Sequence, residues 1–291
     1  MSNQMTAETR TINGRSIQIR RFECHPNDLQ IQLLSSMVGS LNRRGTNASY
    51  FNNDGNRTGS RIMSALHWFN GRPVHSHNNP VAGISGAGRG EMNVAAIEDV
   101  PSANSATIPS TAMSCMYLDN ISPEWPRQPR FVNRVAHIDR LPIPRENVVW
   151  AIGGYSLLLS ENNHTGDTSM RNRYLGLSGV APLYHSGIGR FIDPTGLGQG
   201  RARTFLAYNP HRDRIIYGVM SHSIGTSIAD QDNINTPGVR YFDMYTFLRD
   251  IGCTIGLNLD GGGSTRFRDA ANTVQVGVRD VVCQLTHAGL N

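Results

Sequence analysis

Apolar and polar residues alternate along much of this chain, in short runs separated by turn-forming residues. The first alternation extends from Thr11 to Leu34 and is interrupted at Pro26-Asn27-Asp28. A period of two puts successive side chains on opposite faces of a strand, and Pro, Asn and Asp interrupt such runs. The pattern therefore predicts two strands joined by a turn in this segment.

Further strands are predicted downstream by the same reasoning. Arg203 to Tyr208 and Arg214 to Met220 are apolar runs joined through Asn209-Pro210, which predicts a hairpin. The apolar segment from Val148 to Leu159 predicts two strands, with a break at the glycine pair Gly153-Gly154.

Helical spacing is rare in this sequence. The best candidate is Phe242 to Arg249, where large apolar residues recur at three- and four-residue intervals ahead of Gly252. The proline-rich stretch at about 101–144 has poor periodicity and is interpreted as an irregular insertion. We therefore expect a single α+β domain over residues 1–291, with a mixed, strand-rich sheet and few helices.

The most informative segment begins with an apolar strand near the C-terminal end. Ile255-Gly-Leu-Asn-Leu259 alternates and leads directly into Asp260. The period predicts a strand inside the mixed sheet, with Ile255, Leu257 and Leu259 buried on one face.

Chemically useful groups follow that strand at once. Asp260 is succeeded by Gly261, Gly262, Gly263, Ser264 and Thr265. Glycines let the backbone turn and bring its N–H groups against a ligand, while the hydroxyl residues favour the start of a helix, where anions bind. A carboxylate, exposed backbone donors and hydroxyls within six residues indicate a site for a substrate that carries phosphate or sugar. A plain turn capped by Asp260 is the alternative.

Leu257 to Thr265 resembles the "NLDGGGS" signature of the phosphodiester glycosidase family. Looser similarities occur in the family's order, although Ala48 and Ser49 stand where the family has glycines. They are Asn47 to Phe51, Ala151 to Leu159, Arg203-Thr204, Tyr241 to Cys253 and Gly277 to Leu285. The insertion at about 101–144 has no counterpart in this resemblance.

The resemblance implies hydrolysis of a bond between a sugar C1 atom and a phosphodiester oxygen. It makes Asp260 the catalytic carboxylate, as nucleophile, base or electrostatic stabiliser, because positive charge develops at C1. It makes Arg203 the phosphate clamp, with Arg279 behind it. The remaining substrate-binding candidates are Asn47, Gly153, Gly154, Asn258, Gly261, Gly262, Gly263, Ser264 and Thr265.

Several of these assignments have structural alternatives. Arg203 is equally well a surface strand residue, Arg279 an ion-pair partner of Asp280, and Asn47 a turn residue. His222 follows a strand and is a candidate acid or base. A second catalytic carboxylate is not singled out among Asp54, Asp193 and Asp243.

Metal binding is not expected from the spacing of the candidate ligands. Cys24, Cys115, Cys253 and Cys283 form no CxxC pair and are interpreted as buried thiols, with disulfides as the lesser alternative. His75 and His77 have strand spacing without a third ligand nearby. No cofactor is expected.

Composition narrows the class of protein. A hydrophobic content of 38% and a charged content of 17% fit a globular enzyme. The net charge of +5 is spread along the chain, which argues against a nucleic-acid surface. No apolar run approaches the ~20 residues of a membrane span, and the polar residues Met1 to Arg21 do not resemble a signal peptide.

The basic residues are all arginine: the sequence contains 27 of them and no lysine. Coding bias is one explanation. The other is a protein that acts in a cytosol where lysine is a handle for degradation. Since no signal peptide is recognised, we expect a cytoplasmic protein. The absence of lysine favours one that is translocated into a host cell, and a phage-encoded protein is the alternative.

Three functions are consistent with the sequence. The first is a hydrolase of a sugar C1–phosphodiester linkage, with a sugar-phosphate or phosphoglycan substrate. The second is an enzyme of the same fold that acts on a nucleotide-linked or signalling phosphodiester. The third is a phosphoglycan-binding protein without catalysis. The sequence leaves the sugar and the oligomeric state open.

Overall fold

The computed structural model describes residues 5–38, 41–48, 51–53, 61–63, 66–74, 113–121, 128–133, 138–158, 183–185, 190–192, 202–222, 238–269, 273–275 and 281–290. The described residues form nineteen strands and one α-helix. The helix α1 is Tyr241–Asp250. The strands are β1 (Met5–Ile12), β2 (Arg15–Cys24), β3 (Leu29–Val38), β4 (Gly45–Asn47), β5 (Phe51–Asn53), β6 (Arg61–Met63), β7 (His67–Phe69), β8 (Arg72–Pro73), β9 (Met113–Asp119), β10 (Arg130–Asn133), β11 (Val148–Leu158), β12 (Leu183–His185), β13 (Arg190–Ile192), β14 (Arg203–Asn209), β15 (Arg214–Ser221), β16 (Ile255–Asn258), β17 (Arg266–Arg268), β18 (Thr273–Gln275) and β19 (Val281–His287).

Two larger sheets dominate the architecture. The ten-stranded sheet has the order β1-β2-β15-β14-β16-β11-β7-β8, with β9 pairing to β10 and β11. The five-stranded sheet has the order β18-β17-β4-β19-β3, and β5-β6 and β12-β13 are two-stranded ribbons. Every strand pair among the described residues is antiparallel.

The prediction of an α+β fold with a mixed sheet is therefore wrong. The described residues are nearly all-β and their sheets are antiparallel. The physical reason is that periodicity identifies a strand but not the direction of its partner, which depends on contacts between distant segments.

The main core lies between the two larger sheets. Leu206 of β14, Leu257 of β16 and Val219 of β15 contribute from the ten-stranded sheet. Phe267 of β17 and Leu285 of β19 contribute from the five-stranded sheet. Burial of these apolar side chains is the main favourable term that joins the two sheets.

The strand that leads into Asp260 lies inside a sheet, as the sequence predicts. β16 has β14 on one side and β11 on the other. Ile255, Leu257 and Leu259 are all buried in the main core, as the period of two predicts. The burial confirms the predicted face, while the antiparallel pairing replaces the predicted mixed one.

The helix candidate is also confirmed, as Tyr241–Asp250. Phe247 packs against Phe205 of β14, with the two ring centroids 5.9 Å apart. Phe205 alternates with Leu206, so α1 covers the face of the ten-stranded sheet opposite the main core.

One local prediction is corrected by sheet pairing. β11 runs without interruption through Gly153 and Gly154, where the sequence predicts a break between two strands. Within the interval at about 101–144, β9 and β10 belong to the ten-stranded sheet, and the interpretation of the interval as an insertion stays a prediction. Cross-strand hydrogen bonds support both segments, and these are invisible to a local pattern.

The four cysteines are buried free thiols, as expected. Burial raises the pKa of Cys24, Cys115 and Cys283 well above that of an ordinary thiol, and it raises the pKa of Cys253 to about 12. No helix formed by the described residues is long and apolar enough to cross a membrane.

Candidate functional site

The segment that carries Asp260 stays attached to β14 after β16 ends. The Leu259 N–H donates to the Thr204 carbonyl at 2.9 Å, and the Gly262 N–H donates to the Ala202 carbonyl at 2.7 Å. Between these two bonds, Asp260 and Gly261 on one segment lie opposite Arg203 alone on the other, which is the arrangement of a bulge. Asp260 lies within this bulge, opposite Arg203, and is partly exposed.

Two of the glycines meet specific requirements of this bulge. A Cβ atom on Gly261 would lie 2.9 Å from the Ala202 carbonyl oxygen, too close for any side chain. Gly262 has a φ of +58°, a conformation that glycine adopts at little cost. The glycine signature therefore lets the backbone lie directly against β14.

After the bulge the chain makes a single 3-10 turn, Gly262–Ser264, and enters β17. This corrects the prediction that a helix starts at Ser264 and Thr265. The Ser264 N–H donates to the Gly261 carbonyl at 3.2 Å, and the Thr265 N–H donates to the Gly262 carbonyl at 3.1 Å. The amides of Ser264 and Thr265 thus have protein partners. The sequence predicts that they, like the amides of the glycines, donate to a ligand. Ser264 and Thr265 are buried.

Asn47 lies at the end of β4, directly beside the bulge, and is 1% exposed. Its Nδ2 donates to the Asp260 carbonyl at 2.7 Å and to the Ala48 carbonyl at 3.1 Å. Its Oδ1 accepts from Thr204 Oγ1 at 2.8 Å and from the Arg266 N–H at 2.9 Å. The amide therefore links β4, β14, β17 and the bulge.

Arg203 is buried, with 2% of its surface exposed, and is not the surface strand residue that the alternative interpretation allows. Its Nε donates to the Val239 carbonyl at 3.1 Å. A Cβ atom on Gly261 would come 3.7 Å from Arg203 Cδ, so the arginine side chain runs against the glycine backbone. The side chain of Arg203 therefore packs against the bulge that contains Asp260, with its guanidinium group bonded to Val239.

The segment that receives Arg203 is itself fixed by Asp243. Asp243 is 1% exposed and accepts from the Arg240 N–H at 2.9 Å, from Asn13 Nδ2 at 3.0 Å and from Arg15 Nη1 at 3.3 Å. It forms a capping box at the start of α1. Of the three carboxylates considered for a second catalytic group, Asp243 therefore has a structural use. Asp54 and Asp193 lie outside the described residues.

Gly153, Gly154 and Asn258 belong to neighbouring strands, β11 and β16. Asn258 is fully buried, and its Nδ2 donates to the Leu259 carbonyl at 2.9 Å. Gly154 faces the same stretch of backbone, where a Cβ atom would lie 2.6 Å from the Asn258 carbonyl oxygen. The structure therefore gives Gly154 a packing role; binding of substrate by these three residues stays a prediction.

His222 follows β15 and is exposed. Its Nδ1 lies 3.1 Å from the Ser16 carbonyl oxygen, and Nδ1 must carry the proton to donate there. Met220 pairs with Arg203, so His222 lies at the same end of the sheet as Asp260, two strands away. That separation is roughly 10 Å at the usual strand spacing. Its role as acid or base stays a prediction.

Other candidates lie outside the residues that the structure describes. Arg279, His75 and His77 are among them. Gly263 lies in the 3-10 turn Gly262–Ser264. Among the described residues there is no group of three or more His, Cys, Asp or Glu side chains that could hold a metal ion.

Two residues of this site escape the sequence reasoning as individual candidates. Thr204 is a polar residue beside the apolar residues Phe205 to Tyr208, and this contrast is the signal that the sequence offers. The structure buries it with the rest of β14. Val239 contributes only its carbonyl oxygen, for which the sequence offers no signal.

The comparisons with known proteins bear on the fold. No protein-family model matches the sequence, and no curated protein matches it either. Among solved structures, the chain is similar to the catalytic domain of zebrafish N-acetylglucosamine-1-phosphodiester alpha-N-acetylglucosaminidase, auto-inhibited by its pro-peptide. The TM-score is 0.51 and the identity 13%, over 98% of this chain and 82% of that one.

Two further structures match more weakly. A hypothetical protein from Synechocystis gives a TM-score of 0.42 at 12% identity, over 97% of this chain and 61% of that one. A Burkholderia pseudomallei protein described as exported gives 0.44 at 12% identity, over 94% and 74%. At 13% identity and a TM-score of 0.51, the zebrafish match shows a similarity of fold alone.

Proposed function

We propose that this protein is a hydrolase that cleaves the bond between a sugar C1 atom and a phosphodiester oxygen. The observation that carries the proposal is the placement of Asp260. This partly exposed carboxylate follows the interior strand β16, in a bulge held by β14 and by Asn47. Similarity of fold to an enzyme domain with that activity in its name supports the same conclusion.

The reaction needs little proton transfer to the leaving group. Water attacks C1, the C1–O bond breaks, and its electron pair leaves with the phosphate oxygen as a phosphate monoester. The sugar keeps the water oxygen as a hydroxyl group, and the second water proton passes to a base. Positive charge develops at C1 in the transition state, and the Asp260 carboxylate would stabilise it. His222 is the proposed acceptor of that proton.

Arg203 would act as a fixed positive charge near the departing phosphate. Its burial lowers the local dielectric constant, so its charge acts more strongly than it would at the surface. The hydrogen bond to Val239 holds the guanidinium group in place before the substrate arrives. A preorganised charge of this kind needs no rearrangement as the transition state forms.

The direct test uses a panel of sugar-1-phosphodiesters and nucleotide sugars in water enriched in oxygen-18. Cleavage of the C1–O bond leaves the phosphate monoester without the heavy oxygen, which mass spectrometry of that product shows. A phosphate monoester that carries oxygen-18 would mean cleavage of the P–O bond, and the protein would be a phosphodiesterase. Saturable binding without any product would make it a binding protein. Either result overturns the proposal.

A further inference from the structure

The side chain of Asn47 has every hydrogen-bonding position occupied by protein groups. A primary amide carries two N–H donors and an oxygen with two lone pairs. In Asn47 the two donors serve the Asp260 and Ala48 carbonyls, and the oxygen serves Thr204 and Arg266. With 1% of its surface exposed, Asn47 has no spare group to offer a substrate hydroxyl.

These bonds converge on the backbone that carries the candidate carboxylate. The Asp260 carbonyl belongs to the peptide group between Asp260 and Gly261. Asn47 Nδ2 donates to it at 2.7 Å, and this bond fixes the orientation of that peptide group. On the other side, Leu259 is held by Thr204, whose hydroxyl also bonds to Asn47. The Leu259 carbonyl, in the peptide group between Leu259 and Asp260, accepts from Asn258 Nδ2 at 2.9 Å, so the peptide groups on both sides of the Asp260 Cα atom have side-chain partners.

Asn47 also lies where the two larger sheets meet. β4 belongs to the five-stranded sheet, and Thr204 belongs to the ten-stranded sheet. The Arg266 N–H, at the start of β17, donates to the same Asn47 oxygen as Thr204 does. One buried amide thus sets the position of the bulge relative to both sheets.

We infer that Asn47 is a positioning residue, which orients Asp260 through the Asp260–Gly261 peptide and does not contact the substrate. Its effect on catalysis rests on the proposed function, whereas its hold on the backbone does not. Misplacement of a reacting group by about 1 Å costs on the order of 10²-fold in rate. The expected result of losing the amide is therefore a fall in kcat with little change in KM.

The catalytic test removes a single bond while keeping the shape of the site. Thr204→Val deletes the hydroxyl that donates to Asn47, and Thr204→Ser retains a hydroxyl. We expect Thr204→Val to lower kcat about tenfold, a fraction of that positioning effect, and Thr204→Ser to restore most of the loss. In an Asp260→Asn background the same Thr204→Val change should have almost no effect. An equal fold-loss in both backgrounds would mean a general structural role, and would overturn the inference.

The second test does not depend on activity. Asn47→Ala removes the acceptor of the Arg266 N–H, so amide hydrogen exchange measured by NMR should speed up at Arg266 and Gly262. The amides of Leu206 and Ile216, in the middle of the ten-stranded sheet, should keep their wild-type rates if the fold is intact. Unchanged exchange at Arg266 and Gly262 would overturn the positioning role.

The two tests separate failure of the inference from failure of the proposed function. A wild-type protein without turnover on any sugar phosphodiester refutes the proposed function, while faster exchange in Asn47→Ala still supports the hold on the bulge. A rise in KM with unchanged kcat in Thr204→Val would point to a substrate contact, and would overturn the inference while leaving the proposed reaction in place.

Discussion

Gly154 lies so close to Asn258 that a Cβ atom on Gly154 would come within 2.6 Å of the Asn258 carbonyl oxygen. The same atom would lie 3.2 Å from Leu259 Cδ2 and 3.4 Å from Leu257 Cβ. The residue at 154 is therefore limited to glycine by the strand that leads into Asp260, because a backbone oxygen in a central strand has no room to move.

Gly154→Ala should destabilise the protein by about 1–3 kcal/mol, as overpacking of a buried site usually does. The measurement is the free energy of unfolding from urea denaturation. Gly14→Asn is the matched control, because a Cβ atom on Gly14 meets nothing within 4 Å and its φ of +77° suits asparagine. If Gly154→Ala were as stable as Gly14→Asn, the close approach of β11 to β16 would be refuted.

Asp243→Asn separates a structural carboxylate from a catalytic one. The change places an N–H₂ group among donors from Asn13, Arg15 and Arg240. We expect a loss of about 2–3 kcal/mol in the free energy of unfolding, from the cap and the buried ion pair together. The folded variant should keep kcat within about fivefold, below the cost of losing a general acid or base.

Glu146→Gln, the same chemical change at an exposed residue, is its control and should leave the unfolding midpoint unchanged. A stable Asp243→Asn variant that has lost its activity would instead identify Asp243 as the second catalytic carboxylate.

His287 should make stability depend on pH. It is buried, with Tyr217 Oη 2.7 Å from its Nδ1, and burial, with a smaller effect of Arg44, lowers its pKa to about 4. The unfolded chain takes up this proton near pH 6.5, so the contribution of neutral His287 is fully present above that pH and is lost as the pH falls to 4. Between pH 7.5 and pH 5 this amounts to about 2 kcal/mol.

The test compares urea unfolding of the wild type and His287→Phe at the two pH values. Protonation of carboxylates also lowers the free energy of unfolding in acid, but it does so in both proteins. The difference between the two pH dependences therefore isolates His287. The part of the pH dependence that comes from His287 should be absent from the variant. A wild type and a variant with parallel pH profiles would contradict the buried neutral imidazole.

Arg203→Lys should impair both stability and activity. Lysine has no equivalent of the Nε donor that bonds to the Val239 carbonyl, and Arg203 is buried against the glycine backbone. A lost buried hydrogen bond typically costs about 1–3 kcal/mol, measurable as a shift of the unfolding midpoint. The activity loss should appear in kcat/KM and should shrink for substrates with a less charged leaving group; an equal loss for all substrates would argue against a phosphate contact.

Local patterns predicted much of the secondary structure because the buried side chains of each element recur with the period of that strand or helix. The period of two in Ile255 to Leu259 and the helical spacing before Gly252 are both found in the structure. The site escaped such reasoning in its details, because its contacts are remote. Asn47 bonds to groups that are 157, 213 and 219 residues away in the sequence. No local pattern indicates that an amide has its donors and acceptors already filled.

Asp260→Asn tests whether Asp260 provides the carboxylate for cleavage at a sugar C1 atom. The substitution keeps the size of the side chain and removes its charge, while Asn47 still holds the carbonyl group of residue 260. The measurement is kcat on a sugar-1-phosphodiester, with unfolding followed in parallel. If this carboxylate stabilises the transition state, kcat should fall on the order of 10²–10³-fold with stability nearly unchanged. Turnover by Asp260→Asn at the wild-type rate would contradict it.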